Sequence, residues 1–177
     1  MIGEKVPNVT LYTRVRDESI EGPNPFRWEL VQTGELFAGK TVVVFSLPGA
    51  FTPTCSTYQL PNFEKLYNKF KLQGVDEVYV CSVNDAFVMN KWLEHQDVKN
   101  VKALPDGNGD FTRAMGMLVD KENLGFGKRS WRYAFIARDG NISHWFVEPG
   151  FRNNADDDPY GETDPEHILK IFLDSLD

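Results

Sequence analysis

The most informative part of the sequence is Thr41-Val42-Val43-Val44-Phe45-Ser46-Leu47, which is followed directly by Pro48-Gly49-Ala50-Phe51-Thr52-Pro53-Thr54-Cys55. The first part is a short continuous apolar run, which is typical of a strand buried on both faces. Pro48 to Phe51 break this strand. Thr52 is a favoured N-cap and Pro53 a favoured first helical residue, so the pattern predicts Cys55 in the first turn of a helix.

The predicted helix continues well beyond Cys55. Its apolar residues recur at the spacing of one buried helical face, and they are Phe63, Leu66, Tyr67 and Phe70. Pro61 lacks the N–H that would bond back to Thr57, so we expect it to kink this helix. Gly74 ends it.

Further strands and helices follow in a regular order. Val75 to Val83 reads as a second strand, and Asn84-Asp85 can cap a second helix that runs to about Asp97. A turn at 106–109 precedes a short helix from Phe111 to Leu118. Residues 133–137 and 142–147 read as two strands joined at Asp139-Gly140, a strong hairpin signal.

The secondary-structure signals are weaker at the N-terminal end of the chain than at the C-terminal end. Residues 1–40 read as mostly loop and short strand, with a strong turn signal at 22–25. A last helix begins near Asp164-Pro165, and its spacing turns the following residues inward: Ile168, Leu169, Phe172, Leu173 and Leu176.

This order predicts the fold class. A helix between two strands implies a parallel pair with a right-handed crossover, and the later hairpin adds antiparallel strands. We therefore expect an α/β protein with a thioredoxin-like fold, in which a mixed central sheet has helices on both faces. With no repeat or low-complexity linker, residues 1–177 are expected to form a single domain.

Composition excludes several classes of function. Of 177 residues, 41% are hydrophobic and 25% are charged, with a net charge of −7, so the composition is that of a globular protein without nucleic acid as a main partner. No apolar run is long enough to cross a membrane, and the first residues lack the apolar core of a signal peptide. Two cysteines are too few for a disulfide scaffold. These features predict a reducing, cytoplasmic location.

The cysteine at the helix start is the candidate reactive group. An ordinary thiol is mostly protonated at neutral pH, and the thiolate is the nucleophile. Unpaired N–H groups at a helix N-terminus favour the thiolate, so Cys55 is placed as an activated nucleophile. Cys81, inside an apolar strand, is better explained as a small buried residue. The three histidines share no metal-ligand spacing, so neither a metal ion nor a bound cofactor is expected.

The segment from Pro48 to Cys55 matches the P-x-x-x-T-x-x-C signature and so resembles the peroxiredoxin family. The segments at 45–47, 82–88, 105–109 and 127–133 are similar to the subgroup that contains plant type II enzymes and bacterial peroxiredoxin–glutaredoxin fusions. The resemblance covers nearly the whole chain, although no glutaredoxin domain is present in it.

The resemblance implies a thiol peroxidase that reduces hydrogen peroxide and organic hydroperoxides. It makes Cys55 the peroxidatic nucleophile, which becomes a sulfenic acid. Thr52 would hydrogen-bond the peroxide, Pro48 would shield the sulfur, and Arg132 would stabilise the thiolate and the developing negative charge. From the sequence alone, the simpler interpretation of Arg132 is an exposed arginine at a strand end. The resemblance also implies a homodimer with Phe51 and the region of Phe87 near its interface.

The reductant is predicted from the second cysteine. Many plant relatives carry the second cysteine one position earlier, where this chain has Val80. A shift of one residue along a strand places the side chain on the opposite face of the sheet. Cys81 is therefore not expected to resolve the sulfenic acid, and glutathione, together with a separate glutaredoxin, is the expected reductant ahead of thioredoxin. Two alternatives remain open: a thiol–disulfide oxidoreductase that uses Cys55 alone, and a non-catalytic redox sensor.

Overall fold

The computed structural model describes all 177 residues. Its nine strands are β1 (Thr10–Arg16), β2 (Phe26–Gln32), β3 (Thr41–Ser46), β4 (Glu77–Ser82), β5 (Lys102–Pro105), β6 (Leu118–Asp120), β7 (Lys128–Ser130), β8 (Tyr133–Arg138) and β9 (Asn141–Val147). The helices are α1 (Thr33–Phe37), α2 (Leu60–Leu72), α3 (Ala86–His95), α4 (Asp110–Ala114) and α5 (Pro165–Asp174).

A five-stranded mixed sheet with the order β5-β4-β3-β8-β9 forms the centre of the molecule. β3, β4 and β5 are parallel, whereas β8 runs antiparallel to both β3 and β9. β1 with β2, and β6 with β7, form separate two-stranded ribbons. The predicted β-α-β crossover and the later hairpin are both present, so the expected mixed sheet is confirmed.

Apolar side chains alternate between the two faces of this sheet, as the period of a strand requires. Val43, Phe45 and Val80 face a core that α2, α3 and α5 cover. Val44 and Cys81 face the opposite core, which α1 and α4 cover. Helices therefore lie on both faces, as predicted, and the central strands are buried from both sides.

Local signals in the sequence account for several element boundaries. The side chain of Asp85 caps α3 by accepting the N–H of Val88 at 2.9 Å. Asp139 and Gly140 join β8 to β9 with φ values of 49° and 76°, and positive φ at both positions is what the tightest hairpin turn requires. Asp164 caps α5, with Pro165 as its first residue.

Some predicted boundaries are wrong. The short helix expected from Phe111 to Leu118 ends at Ala114, because Gly116 adopts a positive φ and Leu118 pairs with Ser130 in the β6–β7 ribbon. The second strand is shorter than Val75 to Val83 and spans Glu77–Ser82.

The predictions for the two ends of the chain are corrected in part. In α5, Leu173 is 36% exposed and Leu176, beyond the helix end, is 47% exposed, so neither is turned inward. Residues 1–40 are mostly loop and strand, as expected, and the strands are β1 and β2, but helix α1 was not predicted. None of the helices is long and apolar enough to traverse a lipid bilayer.

A π turn lies just before Pro61. Residues Cys55–Gln59 form this wider turn, which continues directly into α2. The N–H of Leu60 donates to the carbonyl of Cys55, five residues back, and Pro61 follows with no N–H to donate. The helix changes its hydrogen-bond register beside Cys55, and π turns of this kind are frequent at functional sites. The kink expected at Pro61 stays a prediction.

Candidate active site

Cys55 lies at the start of the helical segment that follows β3, and its side chain is fully buried. The helix begins at Pro53, and the carbonyl of Thr52 accepts its first hydrogen bond, from the N–H of Ser56 at 3.0 Å. Thr52 is thus the backbone N-cap, as predicted. Its hydroxyl does not accept from a first-turn N–H, because it donates instead to the carbonyl of Gly49 at 2.7 Å.

Arg132 is in direct contact with the Cys55 sulfur. It precedes β8 and is 2% exposed, so the reading of an exposed arginine at a strand end is wrong. Nη1 donates to Cys55 Sγ at 3.3 Å and also to Gln59 Oε1. Nη2 forms a 2.7 Å ion pair with Asp158. The Nε–H is buried and has no acceptor.

The charges around Arg132 keep it protonated. Burial by itself would lower the pKa of the guanidinium, but the negative charges of Cys55 and Asp158 outweigh burial and raise the pKa above its ordinary value. A permanent cation therefore lies beside the Cys55 sulfur in a site closed to solvent, where charge–charge interactions are stronger than in water. This arrangement favours the sulfur as an anion.

Pro48 and Arg129 close the other side of the site. Pro48 is buried, and its carbonyl accepts a 2.9 Å hydrogen bond from Arg129 Nη1. Burial lowers the pKa of the Arg129 guanidinium, and the negative charge of Cys55 opposes that shift. A Cβ added to Gly49 would overlap Arg129 Nη1, so a larger residue at this position would have to displace the guanidinium.

A depression of ≈ 130 Å³ lies beside these residues, and Pro48, Thr52, Lys121, Phe126 and Asp157 are among those that line it. Lys121 is only 4% exposed, and its ammonium lies 5.6 Å from the ring centroid of Trp131. Burial lowers its pKa, and the nearby carboxylates of Asp158 and Asp157 oppose the shift. This buried cation was not predicted, because nothing in the sequence around residue 121 distinguishes it from a surface lysine.

A second set of buried polar residues lies behind Arg132. Gln59 and Thr163 are fully buried, and Glu148 is 2% exposed. Gln59 Nε2 donates to Thr163 Oγ1 at 3.1 Å, and that hydroxyl donates to Glu148 Oε2 at 2.6 Å. None of the three could be identified from the sequence, because their contacts join the helical segment, the residue after β9 and the loop before α5.

Cys81 lies in the other core. Its side chain faces the layer under α1 and α4, whereas Cys55 and Val80 belong to the layer under α2, α3 and α5. Burial, followed by the charge of Asp106, raises the pKa of the Cys81 thiol well above its ordinary value. Both cysteines are free, and the central sheet lies between them. The structure therefore brings together Cys55 and Arg132, with Pro48 and Thr52 lining the adjacent depression, and it places Cys81 elsewhere.

Comparison with known proteins identifies the family to which the chain belongs. The redoxin family profile matches residues 1–160. A peroxiredoxin of Rhizobium etli is 61% identical over 169 residues, which cover 96% of this chain and 94% of the relative. The hybrid peroxiredoxin hyPrx5 of Haemophilus influenzae is 51% identical over 172 residues, 97% of this chain and 66% of its own. The chloroplastic Peroxiredoxin-2E of Arabidopsis thaliana is 37% identical over 162 residues, 89% of this chain and 66% of its own.

Solved structures are similar along nearly the whole length. The Plasmodium falciparum antioxidant protein, a 1-Cys peroxiredoxin, matches with a TM-score of 0.90 and 36% identity over 98% of this chain and 99% of that one. Reduced Prx3 of Vibrio vulnificus in complex with hydrogen peroxide matches with a TM-score of 0.83 and 37% identity over 97% and 98%. The predicted thioredoxin-like fold and subgroup are confirmed. The chain belongs to the redoxin family and, within it, to the peroxiredoxins, which are thiol peroxidases.

Proposed function

We propose that this peroxiredoxin reduces hydrogen peroxide and organic hydroperoxides at Cys55, and that glutathione with a separate glutaredoxin returns the enzyme to its reduced state. The observation that carries the proposal is the 3.3 Å hydrogen bond from Arg132 Nη1 to Cys55 Sγ, both side chains being buried. A fixed cation at a buried sulfur stabilises the thiolate, which is the nucleophile that peroxide reduction requires.

The first step is a displacement at oxygen. The Cys55 thiolate attacks the nearer peroxide oxygen, so an S–O bond forms while the O–O bond breaks. The bonding pair of the O–O bond leaves with the distal oxygen, which takes up one proton and departs as water or an alcohol. The sulfur is oxidised by two electrons to a sulfenic acid, and the peroxide is reduced by the same two electrons.

The neighbouring residues supply the contacts for this step. Because Thr52 donates its hydroxyl proton to the Gly49 carbonyl, its oxygen is left as an acceptor for the peroxide O–H. Arg132 has a buried Nε–H without an acceptor, which gives it a donor for the oxygen that gains negative charge. Pro48 covers the sulfur with hydrocarbon and offers no competing N–H.

Resetting requires two equivalents of glutathione. The first thiol condenses with the sulfenic acid and releases water, which leaves a mixed disulfide on Cys55. The second thiol, with glutaredoxin, attacks that disulfide and yields oxidised glutathione and free Cys55. The position of Cys81 in the opposite core layer supports an external reductant, since the sheet separates the two sulfurs. The similarity to the Plasmodium falciparum protein, which is named a 1-Cys peroxiredoxin, also supports reduction by an external thiol.

A coupled peroxidase assay tests this proposal. Wild type, Cys55→Ser and Cys81→Ser are compared with thioredoxin, with glutathione alone, and with glutathione plus glutaredoxin. We expect turnover with glutathione plus glutaredoxin in wild type and Cys81→Ser, and none in Cys55→Ser. A dominant Cys55–Cys81 disulfide in peroxide-treated protein, detected by mass spectrometry, together with loss of turnover in Cys81→Ser, would contradict the reductant assignment.

We also propose that the chain forms a homodimer and acts in a reducing, cytoplasmic compartment. Phe51 is 49% exposed and Phe87 is 58% exposed, and Phe87 stacks edge-on with the half-exposed Trp28 at 5.5 Å. Exposed aromatic groups of this size favour an interface. Light scattering of wild type and Phe87→Glu tests the dimer: a monomeric mass for wild type contradicts it.

A further inference from the structure

A second buried side chain lies next to the reactive sulfur, four residues further along the helical segment. Cys55 and Gln59 are the first and last residues of the π turn, and both are fully buried. Arg132 Nη1 donates to the sulfur of Cys55 and to the carbonyl oxygen of Gln59, so these two groups share one nitrogen of the guanidinium. The position of that nitrogen therefore depends on which atom Gln59 presents to it.

The orientation of the Gln59 amide is fixed from behind. Glu148 accepts the N–H groups of Gly161, Glu162 and Thr163 at 3.1, 3.1 and 2.9 Å, so this carboxylate acts as an acceptor only. The Thr163 hydroxyl must then direct its proton to Glu148, which leaves the hydroxyl oxygen to accept from the Gln59 NH₂ group.

The reversed amide would be unfavourable at both ends. Its NH₂ group would face the Arg132 guanidinium, and its carbonyl would face a hydroxyl oxygen whose proton is already donated. Buried polar groups without partners are costly, so the observed orientation is strongly preferred. We propose that Gln59 is a positioning residue for the peroxidase reaction, held by Thr163 and Glu148 so that its carbonyl oxygen fixes Arg132 Nη1 beside the Cys55 sulfur.

The choice of a neutral amide has an electrostatic consequence. Gln59 orients the guanidinium without cancelling its charge, so the positive charge remains available to the thiolate. A carboxylate in its place would form an ion pair with Arg132 and add a negative charge next to the sulfur. The proposal rests on the roles proposed above for Cys55 and Arg132. Its test must therefore distinguish a failure of the Gln59 role from a failure of those roles.

The test is the rate of Cys55 oxidation by hydrogen peroxide in the full-length protein, measured against pH. In Gln59→Glu the rate falls at least about tenfold near neutral pH, and the rise of rate with pH moves to higher pH, as expected for a like charge beside a buried thiolate. The other charged groups around Cys55 (Lys121, Arg129, Arg132 and Asp158) are unchanged. Gln73→Glu, at the exposed end of the same helix, is the matched control and keeps the wild-type profile.

A second pair of variants covers the case in which Gln59→Glu does not fold. Thr163→Val removes the hydroxyl that orients the amide and slows oxidation several-fold to about tenfold, the size of one lost hydrogen bond to a charged network. Thr163→Ser restores the hydroxyl and the rate. Equal losses in Val and Ser variants would overturn the inference, because the hydroxyl would then not be the cause.

Arg132→Met separates the inference from the function on which it rests. If Arg132→Met is slow while Gln59→Glu and Thr163→Val oxidise at the wild-type rate with the wild-type pH profile, the positioning role is wrong and the proposed site stands. If Arg132→Met is as fast as wild type, the proposed role of Arg132 fails, and the inference about Gln59 fails with it.

Discussion

Replacing Arg132 by Met removes the only guanidinium that contacts the Cys55 sulfur, and it should slow oxidation of Cys55 by hydrogen peroxide without unfolding the protein. The substitution deletes donors to Cys55, Gln59 and Asp158. Methionine is apolar and of similar length, so it can occupy a site that is 2% exposed. Asp158 is 47% exposed and can be hydrated once its partner is lost.

The magnitude follows from the contact at 3.3 Å. A charge-assisted hydrogen bond contributes about 1.5–3 kcal/mol, and Coulomb's law for charges roughly 4 Å apart at an effective dielectric constant of about 20 gives about 4 kcal/mol. A loss of about 2–4 kcal/mol in stabilisation of the thiolate and transition state corresponds to a rate reduction of roughly 30- to 1000-fold. Arg132→Lys should lie between this value and wild type, since a lysine keeps the charge and loses the fork of donors.

Stopped-flow tryptophan fluorescence measures this rate. Trp92 is a suitable reporter, because its indole N–H donates to the hydroxyl of Ser56, the residue after Cys55, at 2.9 Å. Arg152→Met is the matched control, because Arg152 pairs with Asp157 in the neighbouring loop and does not contact the sulfur. An Arg132→Met rate within about twofold of wild type, well below the loss expected for an oxyanion-type donor, would refute the reasoning.

The remaining predictions concern the loop around the sulfur and the pH dependence of stability. Thr52→Val should slow peroxide oxidation about 10- to 100-fold because the peroxide loses an acceptor, whereas Thr52→Ser should keep most of the rate in the same stopped-flow assay. Gly49→Ala should lower the free energy of unfolding in urea by about 1–3 kcal/mol and slow oxidation, because its Cβ displaces Arg129; an unchanged rate and stability would contradict this. Burial and Arg138 lower the pKa of His144 from 6.5, so the unfolded chain binds its proton more readily than the native protein. The free energy of unfolding should therefore fall as the pH drops through about 6.5, and by less in His144→Gln; equal pH dependence in both proteins would contradict this.

Strands and turns could be predicted where short-range sequence signals determine them. The apolar strand at 41–47 and the positive-φ turn at Asp139-Gly140 depend on short-range chemistry that the sequence displays, and the structure confirms them. The pairings of β1 with β2 and of β6 with β7 were missed because the loops that join these consecutive strands, residues 17–25 and 121–127, are longer than the two-residue turns that signal a hairpin. Leu118 was assigned to a helix because its pairing in β6 was missed.

The site could be predicted only in part. Cys55, Thr52 and Pro48 stand within eight residues of one another, so one motif contains them, and Arg132 was found only through the family resemblance. The spacing of Cys55 and Gln59 puts both side chains on one helical face, but it does not show that this face is buried against Arg132. That relation comes from tertiary contacts with Arg132 and Thr163, which are far away in the sequence.

The most direct test of the account is the second-order rate constant for oxidation of Cys55 by hydrogen peroxide, with the product identified by mass spectrometry. We predict one sulfenic acid per chain at Cys55, formed faster than in a free thiolate by about 10²-fold or more, as expected for donors fixed around the developing charge. A rate equal to that of a free thiolate, or oxidation at Cys81 while Cys55 stays reduced, would contradict the claim that this buried sulfur and Arg132 form the peroxidase centre.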